Sequence, residues 1–208
     1  MRIDRRWQVV LSLLTAATFA LPASAQQPPA PSTTAPVPAK PKPAPKPAAP
    51  GAPAVAVAGG AQPKLLGQFG DWGAYAATPG GKKVCFALAK PASGETTPPG
   101  RPRNPTYMFI STRPADKVVN EVSIIIGYPF KPGTEATAEV GSTTFALYTQ
   151  QDGAWIKNAA EEAHMVDAMR QGQAAVVKGT STKGTQSTDT YSLKGLAQAL
   201  DRTGQDCK

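Results

Sequence analysis

The sequence predicts a mostly β domain, a β-sandwich or partly open barrel with one flanking helix and a short C-terminal helix. From residue 64 onward, short runs alternate apolar with polar or small residues, turn-forming residues separate these runs, and a single segment has the caps of a full helix. Alternation with a period of two places apolar side chains on one face of a strand. Many short strands with frequent turns are typical of sandwiches and barrels.

The predicted strands begin with a hairpin over residues 67–90, which turns at Thr78-Pro79-Gly80-Gly81. Residues 90–105 are rich in Pro, Gly, Ser and Arg, and we expect a long loop there. The remaining strands are expected at 106–111, 118–128, 136–140, 143–149, 154–157, 174–180 and 188–193. The apolar end of the 118–128 run indicates a central strand.

One helix is predicted between Asn158 and Gly172. Asn158 is a good N-cap, Glu161 stands three residues later as in a capping box, and Gly172 can end the helix. The predicted apolar stripe consists of Ala159, Ala163, Val166 and Met169. A second, short helix is expected over residues 193–200, before the last cysteine.

Residues 1–25 have the three parts of a secretory leader. A basic start (Arg2, Arg5, Arg6) precedes a mostly apolar stretch of 13 residues, 9–21, and the small-residue site Ala23-Ser24-Ala25 follows, so cleavage would leave Gln26 first. A membrane anchor is the alternative, but 13 helical residues span only ~20 Å of a ~30 Å hydrocarbon core. Arg5-Arg6 raises the twin-arginine route, although the residues after it favour the general secretory path. We expect no transmembrane segment after cleavage.

Residues 26–63 predict a disordered tether rich in Pro, Ala and Lys. Twelve of the 38 positions are proline, and three lysines occur without an acid. Proline fixes φ and removes a backbone donor, which favours an extended polyproline II spacer, either passive or acting as a stalk.

The leader and the tether together carry +5 of the chain's net charge of +8. Because the domain at 64–208 lacks a strongly basic face, nucleic-acid binding is not expected.

Cys85 and Cys207 are the two cysteines of the chain, and 121 residues separate them. In an oxidising compartment such a pair predicts a disulfide. A loop of this length constrains the unfolded chain by ~5 kcal/mol in the loop-entropy model. The alternative, a nucleophilic thiol, requires a nearby imidazole, and His164 is the one histidine.

The sequence shows no catalytic constellation, and we expect neither an enzyme nor a cofactor. His164 lies in the predicted helix among Glu161, Glu162 and Asp167, and no nucleophile motif accompanies it. A solvated helix-surface histidine is therefore the favoured interpretation, with a hydrolase base as the alternative. With one histidine and both cysteines in a bridge, a metal site is not expected.

Two sets of residues are candidates for binding. The first combines the irregular loop with fixed charges and consists of Arg101, Arg103, Asn104 and Arg113. The second consists of aromatic residues that could line a carbohydrate or peptide groove, namely Trp72, Tyr75 and Trp155. At strand spacing, aromatic residues more often belong to the core.

Five strings in order resemble the invasion-associated locus B (IalB) family of bacterial envelope proteins. They are FGDWGAY, KVCFAL, NEVSIIIGYPF, AWIKNAAEEAHMVDAMRQG and TDTYSLKGLAQALDRTGQDC, and they cover essentially residues 67–207. The resemblance implies an exported, non-enzymatic protein in the periplasm or outer envelope of a Gram-negative bacterium, or secreted from it. It supplies no catalytic residues.

The function expected from these features is that of an envelope accessory protein that binds a partner. The partner is an envelope or host-surface protein, and peptidoglycan is the alternative ligand. A periplasmic hydrolase that uses His164 is a third hypothesis.

Overall fold

The structure is a computed structural model, and it describes residues 62–208. The predicted leader (1–25) and all but the last two residues of the predicted tether (26–63) lie outside the described residues. The described part forms one open antiparallel sheet of eleven strands with two helices. The mostly β class with a flanking helix and a C-terminal helix is thus confirmed, and the sheet is not a closed barrel.

The strands are short, and turns or brief 3-10 segments connect most of them. Their bounds are β1 Lys64–Phe69, β2 Trp72–Ala77, β3 Val84–Ala89, β4 Ser93–Thr97, β5 Tyr107–Arg113, β6 Val118–Ile125, β7 Ala136–Val140, β8 Thr143–Gln150, β9 Gly153–Ile156, β10 Ala174–Thr180 and β11 Gln186–Ser192. The helices are α1 Glu162–Gln171 and α2 Leu196–Asp206. Across the sheet the order is β1-β2-β3-β5-β6-β9-β8-β7-β10-β11-β4.

The connection between β3 and β4 requires the sheet to curve strongly. Only residues 90–92 join these strands, yet β3 is third in the sheet order and β4 is eleventh. Eight strand spacings in a flat sheet amount to about 38 Å, whereas the four Cα steps from Ala89 to Ser93 reach at most about 14 Å. The far edge of the sheet must therefore come back beside its beginning.

Hydrogen bonds between the first hairpin and the end of β11 show this return. The indole Nε1 of Trp72 donates to the carbonyl of Ser192 at 2.9 Å, and the backbone N–H of Asp71 donates to the carbonyl of Lys194 at 3.1 Å. Gly195 has φ +92°, and a Cβ there would lie 1.9 Å from the carbonyl oxygen of Phe69. Only glycine permits this close approach.

The inner face of the curved sheet holds the main core together with both helices. Most inward strand positions are apolar, and the largest fully buried side chains include Trp72, Phe145 and Met108. From α1 the core receives Met165, Val166 and Met169, whereas Ala159 and Ala163 of the predicted stripe are exposed. That part of the stripe was wrong because α1 begins at Glu162, after a 3-10 turn capped by the Asn158 side chain. Within residues 62–208, neither helix has both the length and the apolar character needed to cross a bilayer.

Several strand ends differ from the sequence prediction by a few residues, and two strands were not predicted as separate elements. Residues 67–77 form two strands and not one, because Gly70 takes φ +55° and reverses the chain between β1 and β2. Residues 93–97, predicted as loop, form β4. This edge strand is mostly exposed on both faces, so its residues show no apolar alternation.

The two cysteines form the expected disulfide. Cys85 lies in β3 and Cys207 directly follows α2, and their sulfur atoms are bonded at a sequence separation of 122. Both residues are buried. An ion pair between Lys83 and Asp206, 3.2 Å apart, lies beside the bond. The bond thus fastens the end of α2 to the third strand of the sheet.

Replacing both cysteines by alanine should lower the free energy of unfolding by about 2–5 kcal/mol, because the unfolded chain is released from a long loop. Urea unfolding followed by circular dichroism measures this change. Reduced wild-type protein should unfold at the same urea concentration as the double variant. Equal midpoints for oxidised wild type and variant would contradict the prediction.

Candidate functional site

A cleft of about 660 Å³ opens at one end of the sheet, and it is the candidate site. Three segments form its walls, namely the loop after β4 (residues 98–104), the segment 127–129 after β6, and the turn 181–185 between β10 and β11. Loops held by a rigid sheet are common places for binding residues. We refer to this feature as the loop cleft.

The loop after β4 is held on two sides. The backbone N–H of Arg101 donates to the Thr96 hydroxyl at 3.2 Å, and the backbone N–H of Asn104 donates to the carbonyl of Gly127 at 2.9 Å. Gly127 has φ +84°, and a Cβ there would lie 2.2 Å from the carbonyl oxygen of Asn104. The close contact between these two walls therefore requires glycine at 127.

The third wall is fixed to the second by backbone hydrogen bonds. The N–H of Thr182 donates to the carbonyl of Pro129 at 3.0 Å, and the N–H of Lys131 donates to the carbonyl of Thr180 at 2.9 Å. Phe130 and Ser181 form an isolated β-bridge between these bonds. Backbone contacts of the fold therefore hold the walls of the cleft together.

A buried ion pair fastens the loop from beneath. The guanidinium of Arg103 makes a bidentate contact with Asp189 of β11, and one of its two bonds measures 2.6 Å. The Asp189 side chain is fully buried, and that of Arg103 is 15% exposed. The hydrogen bond to Asp189 raises the pKa of Arg103 against the opposing effect of burial. A buried carboxylate needs such a partner, and removal of one member of a buried pair typically costs about 3–5 kcal/mol.

Gly94 of β4 leaves the space that this ion pair occupies. A Cβ at position 94 would lie 2.5 Å from a terminal nitrogen of Arg103 and 2.6 Å from a carboxylate oxygen of Asp189. Gly94 is the register partner of Asp189 across the β4–β11 pair. The edge strand thus covers the ion pair only because it has no side chain there.

The rim of the cleft is positively charged. Arg101 and Lys183 lie on opposite walls and are exposed, and no acidic residue occurs among the residues that line the cleft. The Tyr128 hydroxyl shares a hydrogen bond of 2.6 Å with Ser187, and burial raises the pKa of Tyr128. The Arg103 charge is neutralised by Asp189, so Arg101 and Lys183 remain as the cations available to a ligand. This arrangement favours an anionic group.

The cleft brings together three of the four residues of the predicted polar set. Arg101, Arg103 and Asn104 all line it, although Arg103 has a structural partner. Arg113 lies at the other end of β5 and forms a bidentate pair with Glu121, at 2.8 and 3.1 Å. This pair raises the pKa of Arg113. Arg113 therefore does not belong to the cleft.

The aromatic candidates divide between core and surface. Trp72 has no exposed area, and Tyr75 is 4% exposed and stacked on Phe86 with ring centroids 5.3 Å apart. Trp72 is thus enclosed in the core, whereas Tyr75 is among the residues that line a second cleft, of about 300 Å³. Trp155 is partly exposed and stacks on Tyr148 at 5.5 Å. Of the three predicted aromatic residues, Trp155 is the most exposed.

His164 lies exposed on α1, and its ring packs edge-on against Phe145 at 5.5 Å. The hydrogen bonds and ion pairs of the described residues do not include His164, so nothing there orients it as a base. Within residues 62–208, no cluster of three or more His, Cys, Asp or Glu side chains is suited to a metal ion.

Sequence reasoning missed three contributors to the site, namely Tyr128, Lys183 and Asp189. For Asp189 a signal existed, because it occupies an inward position of β11 between two buried residues, Ser187 and Tyr191. An acid at such a position must find a cation. Lys183 and Tyr128 gave no comparable signal, since their proximity depends on how the turns pack.

The comparisons with known proteins give one match. The family model described as "Invasion associated locus B (IalB) protein" matches residues 72–204, which is more than half of the chain. The range contains all five strings except the ends of the first and the last. Among curated proteins and solved structures, none matches the chain.

Substitution of Gly94 by alanine should lower the free energy of unfolding by about 1–3 kcal/mol, because the new methyl group displaces the Arg103–Asp189 pair. Gly204 is a matched control. It lies in α2, and a Cβ there meets nothing within 4 Å. Gly204→Ala should stabilise the fold by about 0.5–1 kcal/mol. Urea unfolding measures both changes, and equal effects of the two substitutions would contradict the assignment.

Proposed function

The chain belongs to the invasion-associated locus B family, and from this premise we propose that it is an exported protein of the bacterial envelope. We propose further that it acts by binding and not by catalysis, and that the loop cleft is its binding site. The partner carries an anionic group and is an envelope or host-surface component.

Two independent features support export. Residues 1–25 have the composition of a cleavable leader, and Cys85 and Cys207 form a buried disulfide. Disulfides persist in oxidising compartments such as the periplasm and the extracellular space, whereas cytosolic thiols stay reduced. The two features lie in different parts of the chain, and both support a location outside the cytosol.

The charge of the loop cleft is the observation that supports binding there. Arg101 and Lys183 face a cavity whose three walls are fixed by backbone hydrogen bonds, and the lining contains no acid. A rigid site does not lose ordering entropy when a ligand enters, which favours affinity. Exposed cations at the rim also increase the rate of encounter with an anionic partner.

The export proposal predicts a specific covalent form of the native protein. Intact-mass analysis of material isolated from cells should show Gln26 as the first residue and a mass two hydrogens below that of the reduced chain. Alkylation without reduction should leave both cysteines unmodified. A chain that retains residues 1–25 and has alkylatable thiols would contradict the proposal.

The cleft proposal predicts site-specific cross-linking in intact cells. A photoreactive amino acid at the exposed Thr182, on a cleft wall, should give a discrete adduct. The same group at the exposed Thr144 of β8 should not. Arg101→Ala with Lys183→Ala should reduce the adduct about 5- to 30-fold, since each exposed charge contributes about 0.5–1 kcal/mol.

Lys64→Ala with Lys208→Ala removes the same charge from exposed positions outside the cleft and is the control for that experiment. An equal loss of adduct in both double variants would show a non-specific charge effect and contradict the cleft as the site.

Co-sedimentation with purified peptidoglycan distinguishes a glycan ligand from a protein partner. His164→Ala should leave the adduct unchanged, whereas a hydrolase that depends on this residue would lose its activity.

A further inference from the structure

The first half of β6 has a free hydrogen-bonding edge. β6 is fifth in the sheet order, between β5 and β9, and β5 pairs with it as far as Val118. β9 pairs only with residues 123–125 of β6. After Ile156 the chain leaves the sheet, because the Asn158 side chain caps the 3-10 turn that leads into α1. Among the strands of residues 62–208, residues 118–122 therefore have a neighbour on one side only.

A carboxylate takes the place of the second strand at the end of this edge. The backbone N–H of Val122 donates to Oε1 of Glu162, the first residue of α1, at 2.6 Å. Val122 is fully buried, so its N–H needs an acceptor within the protein. The Glu162 oxygen supplies what the carbonyl of a neighbouring strand would supply. The edge that remains free extends over residues 118–121.

A groove of about 510 Å³ lies beside the free edge, and we refer to it as the strand–helix groove. One wall is formed by residues 118–121 of β6. The other wall is one face of α1 and of the turn before it, namely Ala159, Glu162, Ala163, Val166, Asp167 and Arg170. Ala159 and Ala163, two members of the predicted apolar stripe, are exposed here. Their small side chains leave space between the helix and the strand.

A β-bulge accompanies the exposure of Val119 at the groove. The register between β5 and β6 shifts between Ser111 and Arg113, and Asn120 takes φ +54° opposite this shift. The N–H of Asn120 donates to the Thr112 hydroxyl at 3.2 Å. Val119 lines the groove and is 69% exposed. Bulges re-aim side chains and are common beside functional sites, so Val119 offers an apolar contact next to the free edge.

The charges of the groove favour a basic partner. Its cation, Arg170, is paired with Asp201 at 3.0 Å, and Glu121 is neutralised by the bidentate pair described above. Glu162 and Asp167 also line the groove, and neither has an ion-pair partner among residues 62–208. The groove is therefore acidic, whereas the rim of the loop cleft is positively charged. The two sites select ligands of opposite charge.

We infer that the strand–helix groove binds an extended, basic segment of a partner protein, which adds to the free edge of β6 as a further strand. Strand addition uses the main-chain groups of the edge for affinity and the side chains of the groove for specificity. Four residues of an added strand span about 13 Å, the length of the free edge. Lysine or arginine side chains of the segment reach Glu162 and Asp167, and its apolar side chains contact Val119 and Val166.

A titration of the isotope-labelled full-length protein followed by amide NMR shifts tests this inference. The probe is an acetylated heptapeptide of alternating lysine and valine, added to about 1 mM. Amides of residues 118–121 and 162–170 should shift, and those of the loop-cleft turn at residues 181–185 should not. The same peptide with methylated backbone nitrogens keeps its charge but cannot donate, so it should not bind. A peptide of alternating glutamate and valine should also leave residues 118–121 unshifted.

Two substitutions in the groove should weaken binding of the probe without unfolding the domain. Ala163→Leu fills the groove at an exposed helix position and should raise the Kd at least about 10-fold. Leucine and alanine have similar helix propensities, so the unfolding midpoint should stay the same. Ala160→Leu is the matched control, because Ala160 is exposed and does not line the groove. Asp167→Asn should raise the Kd about 2- to 5-fold, as expected for one exposed charge.

Several outcomes overturn the inference. They are the absence of shifts at residues 118–121 with the lysine–valine peptide, equal shifts with the glutamate–valine peptide, and binding of the methylated peptide. An equal loss of affinity in Ala160→Leu and Ala163→Leu overturns it as well. Shifts at residues 118–121 that grow with protein concentration in the absence of peptide assign the edge to a second copy of the chain, and this result also excludes the proposed partner.

Discussion

The three-residue connection between β3 and β4 is the constraint on which the other features depend. It joins strands that are eight positions apart in the sheet, so the sheet must curve until its last strands lie near its first. The curvature creates an inner face against which both helices pack, and the outer face carries a second, smaller apolar cluster with Tyr75, Phe86 and Leu88. It also brings β4 beside β11 as the edge strand, where Gly94 lies against the Arg103–Asp189 pair. The core and the loop cleft are therefore consequences of one short crossing.

The sequence was sufficient for the features that depend on local periodicity. The alternation of apolar and polar residues located most strands. The presence of two cysteines in a chain expected to reach an oxidising compartment predicted the Cys85–Cys207 bond. The mostly β class followed from these observations. Strand β4 was not predicted, because an exposed edge strand needs no apolar residues and its sequence SGETT has none. The apolar side of α1 was misplaced because Ala159 and Ala163 precede or begin the helix, so the buried residues lie at Met165, Val166 and Met169.

The candidate site was less predictable because it depends on long-range packing. The loop that contains Arg101, Arg103 and Asn104 was identified from its composition. Its opposite wall, with Lys183, lies some 80 residues away in sequence and gave no signal. The sequence also cannot separate a free arginine from a paired one. Arg103 and Arg113 both have carboxylate partners, and Arg101 has none among the ion pairs of residues 62–208.

The position of the disulfide determines how the domain responds to mechanical force. The bond closes residues 85–207 into one covalent ring, while β1 and β2 lie outside it, between the ring and the proline-rich segment. A pull between the N-terminal side and the residue after Cys207 can therefore extend only residues 62–84, about 80 Å of chain. Beyond that point the tension passes to the sulfur–sulfur bond. The loop cleft lies within the ring, so its walls stay covalently linked to the rest of the fold even when the first hairpin has been pulled off.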